Sequence, residues 1–397
     1  MNAVSRLLSL PASVKYPVLS QKRALSVLYV RECYEDLARI IISDTEHNRF
    51  IVSGNPGIGK TFFSLYLMHV LAKSGTEAII LDRAQAQTVL FERGKPAVEA
   101  VNAAPFTNLL YGPHALMLVD GKKPEFLPGF PSTGKVVLVA SNKREHWWEF
   151  YKGNTRRLIM PPWVLEEMEA ARVSCFPEVP QDVAERLFLR WGGIPRYVLE
   201  YWNDNSKQML LDEAIGLADP DRCFANVGEV GNDKDLSHRI LHMTIPPKEA
   251  TTTATSAAVD ELKDSRYDSH HFRMLFASQY VTDQLVQRWR RSNFDRLRHW
   301  ILAMEPVRWA GGLQGQLFEA MAHTMLRVGG KFRCRKLRKS KNEQPQPEFV
   351  MVFPNTGPAS LMYRRVDELH GRRDVYAQPV QKNEGAIDAL IPPAVRF

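Results

Sequence analysis

The sequence has little cysteine and no long apolar run. Its four cysteines lie far apart, at Cys33, Cys175, Cys223 and Cys334. Because zinc sites normally contain at least one closely spaced cysteine pair, this arrangement argues against bound zinc and favours buried thiols in a reducing compartment. No apolar stretch approaches the roughly 20 residues that a membrane-spanning helix needs. The N-terminus also lacks the apolar segment and cleavage site of a signal peptide, so we expect no membrane association.

Strong compositional bias is missing as well. Hydrophobic residues make up 45% and charged residues 24% of the 397 positions. This is ordinary for a globular protein and excludes a disordered, collagenous or disulfide-framework chain. At roughly 150 residues per domain, the length predicts two or three domains.

Positive charge is concentrated in one part of the chain. The net charge is +8, but the segment Arg288–Lys341 alone contains 14 Lys and Arg residues and three acids, a net of +11. The other 343 residues therefore sum to −3. This basic region (Arg288–Lys341) predicts a polyanionic partner, with nucleic acid the leading candidate. The alternative is a solvated basic face that binds nothing.

Apolar strands alternate with helical segments in the N-terminal half. Four buried strands are predicted at FIVSG, EAIILD, ALMLVD and KVVLVASN. Continuously apolar strands of this kind are typical of a parallel sheet covered on both faces. Helical spacing of apolar residues predicts helices over Ala24–Ile42, over TFFSLYLMHVLAKSG and in several stretches after Asn142. Together these elements predict an α/β domain.

The strongest motif is GNPGIGKT, between the first of these strands and the following helix. It matches the phosphate-binding pattern G-x-x-x-x-G-K-[ST] at every fixed position. Its glycines let the backbone aim N–H groups at phosphate oxygens, and the helix directs its positive end at the same anion. Lys60 is expected to reach the β- and γ-phosphates, and Thr61 to ligate Mg²⁺. The motif predicts that ATP or another nucleoside triphosphate is bound with Mg²⁺ by Gly54, Asn55, Pro56, Gly57, Ile58, Gly59, Lys60 and Thr61.

Such a motif needs an acidic partner at the end of a neighbouring strand, which holds Mg²⁺ in place. Asp120, which ends ALMLVD, is favoured over Asp82 because another strand follows it directly. In ATPases of the AAA-like and STAND-like type, that next strand carries a polar residue that senses the γ-phosphate, and Asn142 fits this position. Arg196 is a second candidate sensor, because GGIPRY is similar to an element in the helical lid of these ATPases.

The reaction itself is left open by the sequence. These ATPases usually have a glutamate directly after the aspartate, whereas Gly121 follows Asp120 here. Without this glutamate, hydrolysis is expected to use a base from elsewhere or to be slow. Nucleotide binding is therefore a safer prediction than turnover. Arg156 and Arg157 have the residue type of arginine fingers that act on a neighbouring copy, and a homo-oligomer is accordingly among the partners considered.

Five stretches, in their order along the chain, resemble the Crinkler and retrotransposon-hot-spot (RHS) proteins of oomycetes, fungi and trypanosomes. They are YVRECYEDL, SGNPGIGKTFFSLYLMHVLAK, MPPWVLEEM, RWGGIPRYVL and LSHRILHM. The resemblance implies a P-loop NTPase module followed by a C-terminal effector module, which in several members looks like a restriction-type nuclease. It also implies an intracellular, nuclear location, because oomycete and fungal members are secreted effectors that act in host nuclei. Neither the N-terminal header of oomycete members nor a signal peptide is visible here.

Two acids in the C-terminal part fit the implied nuclease. Restriction-type nucleases place a helix Glu, a strand Asp and then a Glu or Gln with a Lys around Mg²⁺, which activates water. Glu319, in a helical stretch, and Asp388, between apolar residues, match the first two parts. The third part is expected further along than the sequence extends, so the site is truncated or incomplete. The alternative is that both are ordinary surface acids.

We thus predict an α/β P-loop NTPase fold of the AAA- or STAND-like type, with a parallel sheet and a helical lid, followed by an α+β C-terminal domain. The predicted parts are a helical lead-in, the nucleotide-binding core, the lid, a linker or surface loop, and a basic nuclease-like region, at 1–48, 49–160, 161–245, 246–266 and 267–397. Three functions stay open: an Mg²⁺-dependent NTPase that controls the basic region, a nucleotide-gated switch without turnover, and a metal-dependent DNA nuclease.

Overall fold

The protein forms two compact units, seen in a computed structural model. The first comprises Met1–Leu285 and Met304–Leu313, and the second comprises Val286–Ala303 and Gln314–Phe397. The structure describes residues 6–9, 27–84, 86–124, 133–141, 147–219, 237–246, 265–292, 297, 301, 311–334, 347–357, 361–363, 366–372 and 375–379. The predicted linker at 246–266 falls outside these ranges except at its two ends.

The first unit is built on a seven-stranded sheet. Two short strands, β1 (Leu7–Ser9) and β2 (Val27–Tyr29), pair with each other outside it. The sheet itself has the order β6-β5-β4-β7-β8-β3-β9. Its strands are β3 (Arg49–Ser53), β4 (Ala78–Arg83), β5 (Thr88–Glu92), β6 (Val98–Ala100), β7 (Ala115–Asp120), β8 (Lys135–Ala140) and β9 (Thr155–Ile159).

The predicted α/β class is confirmed, because the four apolar stretches form β3, β4, β7 and β8. These strands and β9 run parallel to one another, whereas β5 and β6 add to one edge in antiparallel orientation. β8 lies between β3 and β7. Because parallel strands end at the same edge of the sheet, the segments that follow β3, β7 and β8 come together there.

Helices cover the faces of the sheet, and further helices follow its last strand along the chain. The α-helices are α1 (Glu32–Ser43), α2 (Lys60–Lys73), α3 (Trp148–Tyr151), α4 (Leu165–Cys175), α5 (Gln181–Trp191), α6 (Asn205–Leu217) and α7 (Ser237–Ile240). A 3₁₀-helix spans Ala104–Tyr111, and a π-helical turn spans Arg196–Glu200. An antiparallel pair of strands, β10 (Leu241–Thr244) and β11 (Arg273–Phe276), also belongs to the first unit.

One helix prediction is wrong in its first half. A single helix was expected over Ala24–Ile42, but Val27–Tyr29 forms a strand and α1 begins only at Glu32. The reason is tertiary, because Val27–Tyr29 pairs antiparallel with Leu7–Ser9 and thereby buries Leu28. Local apolar spacing does not reveal a partner strand that lies twenty residues away.

The two faces of the sheet are covered by different elements. On one face, Ile80, Val119 and Leu138 join a buried cluster with Phe106 and Leu110 of the 3₁₀-helix. On the other face, α2 packs on β7 and β8 and buries Phe63, Leu67 and Leu71. Full burial of such a side chain contributes about 1.5–3 kcal/mol. Because side chains alternate along a strand, neighbouring residues of β4 and β7 belong to opposite layers.

The second unit is smaller and combines helices with short strands. It takes in the end of α8 (Gln279–Ser292) and most of α9 (Gly311–Val328). Strands β12 (Gly330–Cys334) and β13 (Phe349–Phe353) are antiparallel, and β14 (Leu361–Tyr363) and β15 (Ala377–Pro379) are parallel. Tyr363, Leu369 and Ala377 form a small buried cluster. The helix predicted around Glu319 is confirmed.

Candidate functional site

The GNPGIGKT segment forms a tight loop between β3 and α2. Gly57 and Gly59 have φ angles of 83° and 99°, values that only glycine adopts without strain. A Cβ on Gly57 would lie 2.9 Å from the Cβ of Arg196, and a Cβ on Gly59 would collide with the Tyr34 hydroxyl. Glycine is therefore required at both positions for two reasons, the backbone conformation and the close packing around the loop.

Hydrogen bonds to three distant parts of the chain hold the loop in place. The Tyr34 hydroxyl donates to the carbonyl of Gly59 at 2.7 Å, and the Trp163 indole donates to the carbonyl of Ile58 at 2.8 Å. The buried amide of Asn55 donates to the carbonyl of Met243 at 2.9 Å and accepts from the Met243 N–H at 3.0 Å. Tyr34, Trp163 and Met243 lie in three of the stretches that carried the family resemblance, which was the only sequence signal for them.

Buried ionic contacts support the segment that carries Trp163. The Arg31 guanidinium donates to the carbonyls of Pro161 and Pro162 at 3.0 and 3.1 Å, and forms an ion pair with Glu167 at 2.9 Å. It also lies 4.8 Å from the centroid of the Trp163 ring. Because Arg31 is only 1% exposed, these contacts satisfy a charge that is shielded from water.

Lys60 begins α2 and points back into the loop. Its ammonium group donates to the carbonyls of Gly54 and Asn55 at 2.9 and 2.8 Å. The pKa of Lys60 is lowered to about 7, mainly by burial and also by the nearby Arg196 charge, while Asp120 opposes both. A bound anion would favour the protonated, charged form of this amine.

Thr61 and Asp120 meet at the edge of the sheet. The Thr61 side chain hydrogen-bonds Asp120, which is only 8% exposed. Burial raises the pKa of Asp120, while the Thr61 bond and the charges of Arg83 and Lys60 lower it. The pair offers a hydroxyl and a carboxylate oxygen, the ligand types that Mg²⁺ prefers.

The rival acid, Asp82, has a different role. It accepts a hydrogen bond from Thr88 at 2.7 Å and pairs with Lys122 at 3.1 Å. In the sheet Asp82 is opposite Val119, and Arg83 is opposite Asp120. Side-chain alternation therefore turns Asp82 to the layer of the 3₁₀-helix and Asp120 to the layer of α2. The structure brings Asp120, and not Asp82, to Thr61.

The Gly-Gly-Ile-Pro-Arg segment brings Arg196 to the loop. Gly193 passes so close to the backbone of Trp163 that a Cβ would lie 2.5 Å from its nitrogen. Gly192 has a φ of 65°, and a Cβ there would collide with the carbonyl of Ala277. These approaches place the π-helical turn so that Arg196 packs against Gly57.

A cavity of about 460 Å³ is lined by the loop, Asp120 and Arg196. Its volume is within the range typical of small-molecule sites. Its charged lining consists of Lys60, Asp120, Arg196 and Glu200, and Thr61 and Ser141 also contribute. Much of the remaining wall is apolar or aromatic: Val27, Leu28, Tyr29, Trp163, Ala171, Cys175, Phe176, Leu199 and Tyr201. The lining provides a polar region around the loop together with an extensive apolar wall.

The lining of this cavity includes none of the other predicted site residues that the structure describes. Asn142 and Asp388 fall outside the described residues, although Ser141 next to Asn142 does line the cavity. Glu319, in α9, pairs with the buried His323 at 3.5 Å. Among the described residues, no group of three or more His, Cys, Asp or Glu is arranged to hold a metal ion. The nuclease therefore stays a prediction.

The two candidate arginine fingers are held inside the first unit. The Arg156 guanidinium donates to Asp268 at 2.8 Å and to Asp44 at 3.0 Å. Arg157 lies 4.0 Å from the centroid of the Trp147 ring, and burial lowers its pKa to about 10. Both arginines therefore make contacts within the first unit, which residue type alone could not reveal, and their action on a neighbouring copy stays a prediction.

The basic region is described only in part. Lys331 and Arg333, on β12, are exposed, whereas Arg327 at the end of α9 is buried. Most of its C-terminal end lies outside the described ranges. The positive charge of the region is therefore not all on one face. In the part of the chain that the structure describes, no helix is both long and apolar enough to span a membrane.

Comparison with known proteins finds two oomycete relatives. Crinkler effector protein 15 of Phytophthora infestans is 24% identical over 379 residues, which cover 92% of this chain and 57% of that protein. Crinkler effector protein 16 of the same organism is 24% identical over 373 residues, which cover 92% of this chain and 56% of that protein. No protein-family model matches the chain. The chain spans somewhat over half the length of these curated relatives, and it is similar to both Crinkler effector proteins over most of its own length.

Proposed function

We propose that this chain binds a nucleoside triphosphate with Mg²⁺ at Gly54–Thr61 and hydrolyses it, and that it acts as a Crinkler-type effector. The observation that carries the proposal is the Thr61–Asp120 pair, which lies beside Lys60 in a cavity of suitable size. ATP and GTP both remain candidates. The nucleotide state would control the basic region, whose proposed partner is nucleic acid in a nucleus.

The residues present fit a nucleotide-bound Mg²⁺. Mg²⁺ in such sites uses one or two protein carboxylates or hydroxyls and completes its shell with phosphate oxygens and water. Thr61 and Asp120 supply that set, so a cluster of three acids is not required. Bound Mg²⁺ would neutralise charge on the phosphates. Asp120 suits such a cation, because it is buried and its hydrogen-bond partner in the site is a hydroxyl rather than a cation.

The loop, the helix and two cations would bind the phosphates. Backbone N–H groups of Gly54–Gly59 and the N-terminus of α2 attract an anion. The Lys60 ammonium would leave the carbonyls of Gly54 and Asn55 and turn to the phosphates. Arg196, fixed against Gly57, would contact the terminal phosphate, with Asn142 as a further sensor beside Ser141.

Asp120→Asn is expected to remove the effect of Mg²⁺ on affinity. The amide keeps the shape of the side chain but lacks the charge that attracts the cation, so nucleotide affinity in Mg²⁺ should fall about tenfold towards the value in EDTA. Equilibrium titration of a fluorescent nucleotide with and without Mg²⁺ measures this. Asp82→Asn is the matched control and should keep the wild-type Mg²⁺ effect. An unchanged Mg²⁺ effect in Asp120→Asn contradicts the proposed metal site.

Nucleotide binding at pH 8 is expected to take up close to one proton. Because the pKa of Lys60 is about 7 in the free protein, its amine is mostly neutral at pH 8, and bound phosphates favour the charged form. Affinity should therefore fall as pH rises above 7, by up to about tenfold per pH unit. Calorimetry in buffers of different ionisation enthalpy reports the uptake. Lys60→Arg, which stays charged, should lose it. Equal uptake in both proteins would show that another group is responsible.

A nucleotide-gated switch without turnover is the second candidate. It is favoured by the residues after Asp120, because Gly121 has no side chain and Lys122 pairs with Asp82. Neither provides a carboxylate that could polarise water. A multiple-turnover phosphate-release assay separates the two functions. Turnover that disappears in Asp120→Asn supports hydrolysis, and binding without phosphate release supports the switch.

A further inference from the structure

One carboxylate in the cavity is left unexplained by phosphate and Mg²⁺ binding. Glu200 lines the cavity, and its Oε1 atom is buried with no hydrogen-bond partner in the part of the chain that the structure describes. Buried polar atoms are nearly always hydrogen-bonded, because desolvation without a partner is costly. A carboxylate oxygen in this state is an acceptor that a ligand can satisfy.

The backbone that carries Glu200 is firmly held. The Arg196–Glu200 turn is π-helical, closed by a bond from the Tyr201 N–H to the carbonyl of Arg196 at 2.8 Å. Gln208 donates to the carbonyls of Tyr197 and Tyr201 at 2.9 and 2.8 Å, and accepts from the Trp191 indole at 2.6 Å. The rings of Trp191 and Tyr197 stack at 3.7 Å. Single π-turns inside helical segments are frequent at functional sites.

The position of Glu200 relative to Arg196 indicates which part of a ligand it meets. Arg196 packs against Gly57 in the phosphate-binding loop. Glu200 follows one helical turn later, roughly 5 Å along the axis, and its neighbours Leu199 and Tyr201 belong to the apolar wall. A carboxylate repels phosphate, so a second phosphate contact is excluded by charge. The ribose and the base are the parts of a nucleotide that carry no phosphate charge, and the apolar wall beside Glu200 suits them.

We propose that Glu200 determines specificity for the nucleoside half of the bound nucleotide by accepting hydrogen bonds from it. This rests on the proposed nucleotide binding at Gly54–Thr61. Two parts of a nucleoside offer the required donors, the ribose hydroxyls and an exocyclic base amine. Charged hydrogen bonds to a buried atom discriminate strongly, because a ligand that lacks the donor leaves the Oε1 atom unsatisfied.

The test is a panel of ligands titrated against two proteins. Wild type and Glu200→Ala are titrated with ATP, 2′-deoxy-ATP, purine riboside triphosphate and inorganic tripolyphosphate, all in Mg²⁺. Glu200→Ala should lose about tenfold in ATP affinity and none in tripolyphosphate affinity. If the donor is the ribose, the penalty for 2′-deoxy-ATP seen in wild type disappears in the variant. If the donor is the base amine, the penalty for purine riboside triphosphate disappears instead.

Glu213→Ala is the matched control, because Glu213 is exposed on α6 and does not line the cavity. It should bind all four ligands as wild type does. Equal affinity of wild type and Glu200→Ala for ATP overturns the proposal. A loss shared by tripolyphosphate, or unchanged binding with lost turnover, also overturns it, because either result assigns Glu200 to the phosphate end. A wild-type protein that binds neither GTP nor any ligand of the panel would instead refute the proposed function itself.

Discussion

Lys60→Ala is expected to abolish measurable nucleotide binding. The substitution removes the one loop side chain that brings positive charge to the phosphates, while the glycines and α2 remain. Truncating one partner of a buried charge pair costs about 2–5 kcal/mol, which corresponds to at least roughly a thirtyfold loss of affinity. Equilibrium titration with a fluorescent nucleotide in Mg²⁺ measures it.

The matched control is Lys73→Ala, at the exposed last turn of the same helix. It removes an equal charge from α2 without touching the loop, so its affinity should stay near that of wild type. Lys60 also donates to the carbonyls of Gly54 and Asn55, so thermal unfolding of each variant shows whether the loop stays folded. Unchanged affinity in a folded Lys60→Ala protein would refute nucleotide binding at this loop.

Gly193→Ala is expected to destabilise the protein by about 3 kcal/mol or more. The new Cβ would lie 2.5 Å from the backbone nitrogen of Trp163 and closer still to its carbonyl oxygen, and backbone cannot rotate away as a side chain can. Since Trp163 holds the carbonyl of Ile58, the displacement should also reach the phosphate-binding loop. Denaturant unfolding measures the free energy, and nucleotide titration measures the loss of affinity.

Gly216→Ala provides the comparison for this variant. Gly216 lies in α6, and a Cβ there would meet nothing within 4 Å. Since alanine is favoured over glycine in a helix by about 1 kcal/mol, this variant should be as stable as wild type or more stable. Similar stability of the two variants would show that the approach of Gly193 to Trp163 is not close in solution.

Asp120, the acid that chain order favoured, hydrogen-bonds Thr61, and its role in holding Mg²⁺ stays a prediction. The sequence favoured Asp120 because another strand follows it directly, and β8 does lie between β7 and the strand that precedes the loop. Strand order alone does not explain why Asp120, and not Asp82, lies next to Thr61. Strand register places the two acids in opposite layers, and Lys122 then neutralises Asp82. Register between distant strands cannot be read from one sequence.

The side chains that hold the loop in place could not be predicted from local sequence patterns. Tyr34 reads as one apolar position of a helix and Trp163 as one aromatic among several, yet both donate to loop carbonyls. Asn55 was assigned to phosphate binding, whereas its amide pairs with Met243, 188 residues later. Gln208 carries no motif at all, although it fixes the turn that presents Arg196 and Glu200. Each contact depends on segments that meet only after folding.

The α/β class, the four parallel strands and the loop at Gly54–Thr61 could all be predicted from the sequence. These follow from apolar runs, from the conformations that glycine permits and from chain order, all of which are local properties. The tertiary structure alone decided that Asp120 meets Thr61, that Val27–Tyr29 is a strand and that the Glu200 carboxylate lines the cavity. The reason is that strand register, partner strands and the burial of single polar atoms depend on residues far apart in the chain.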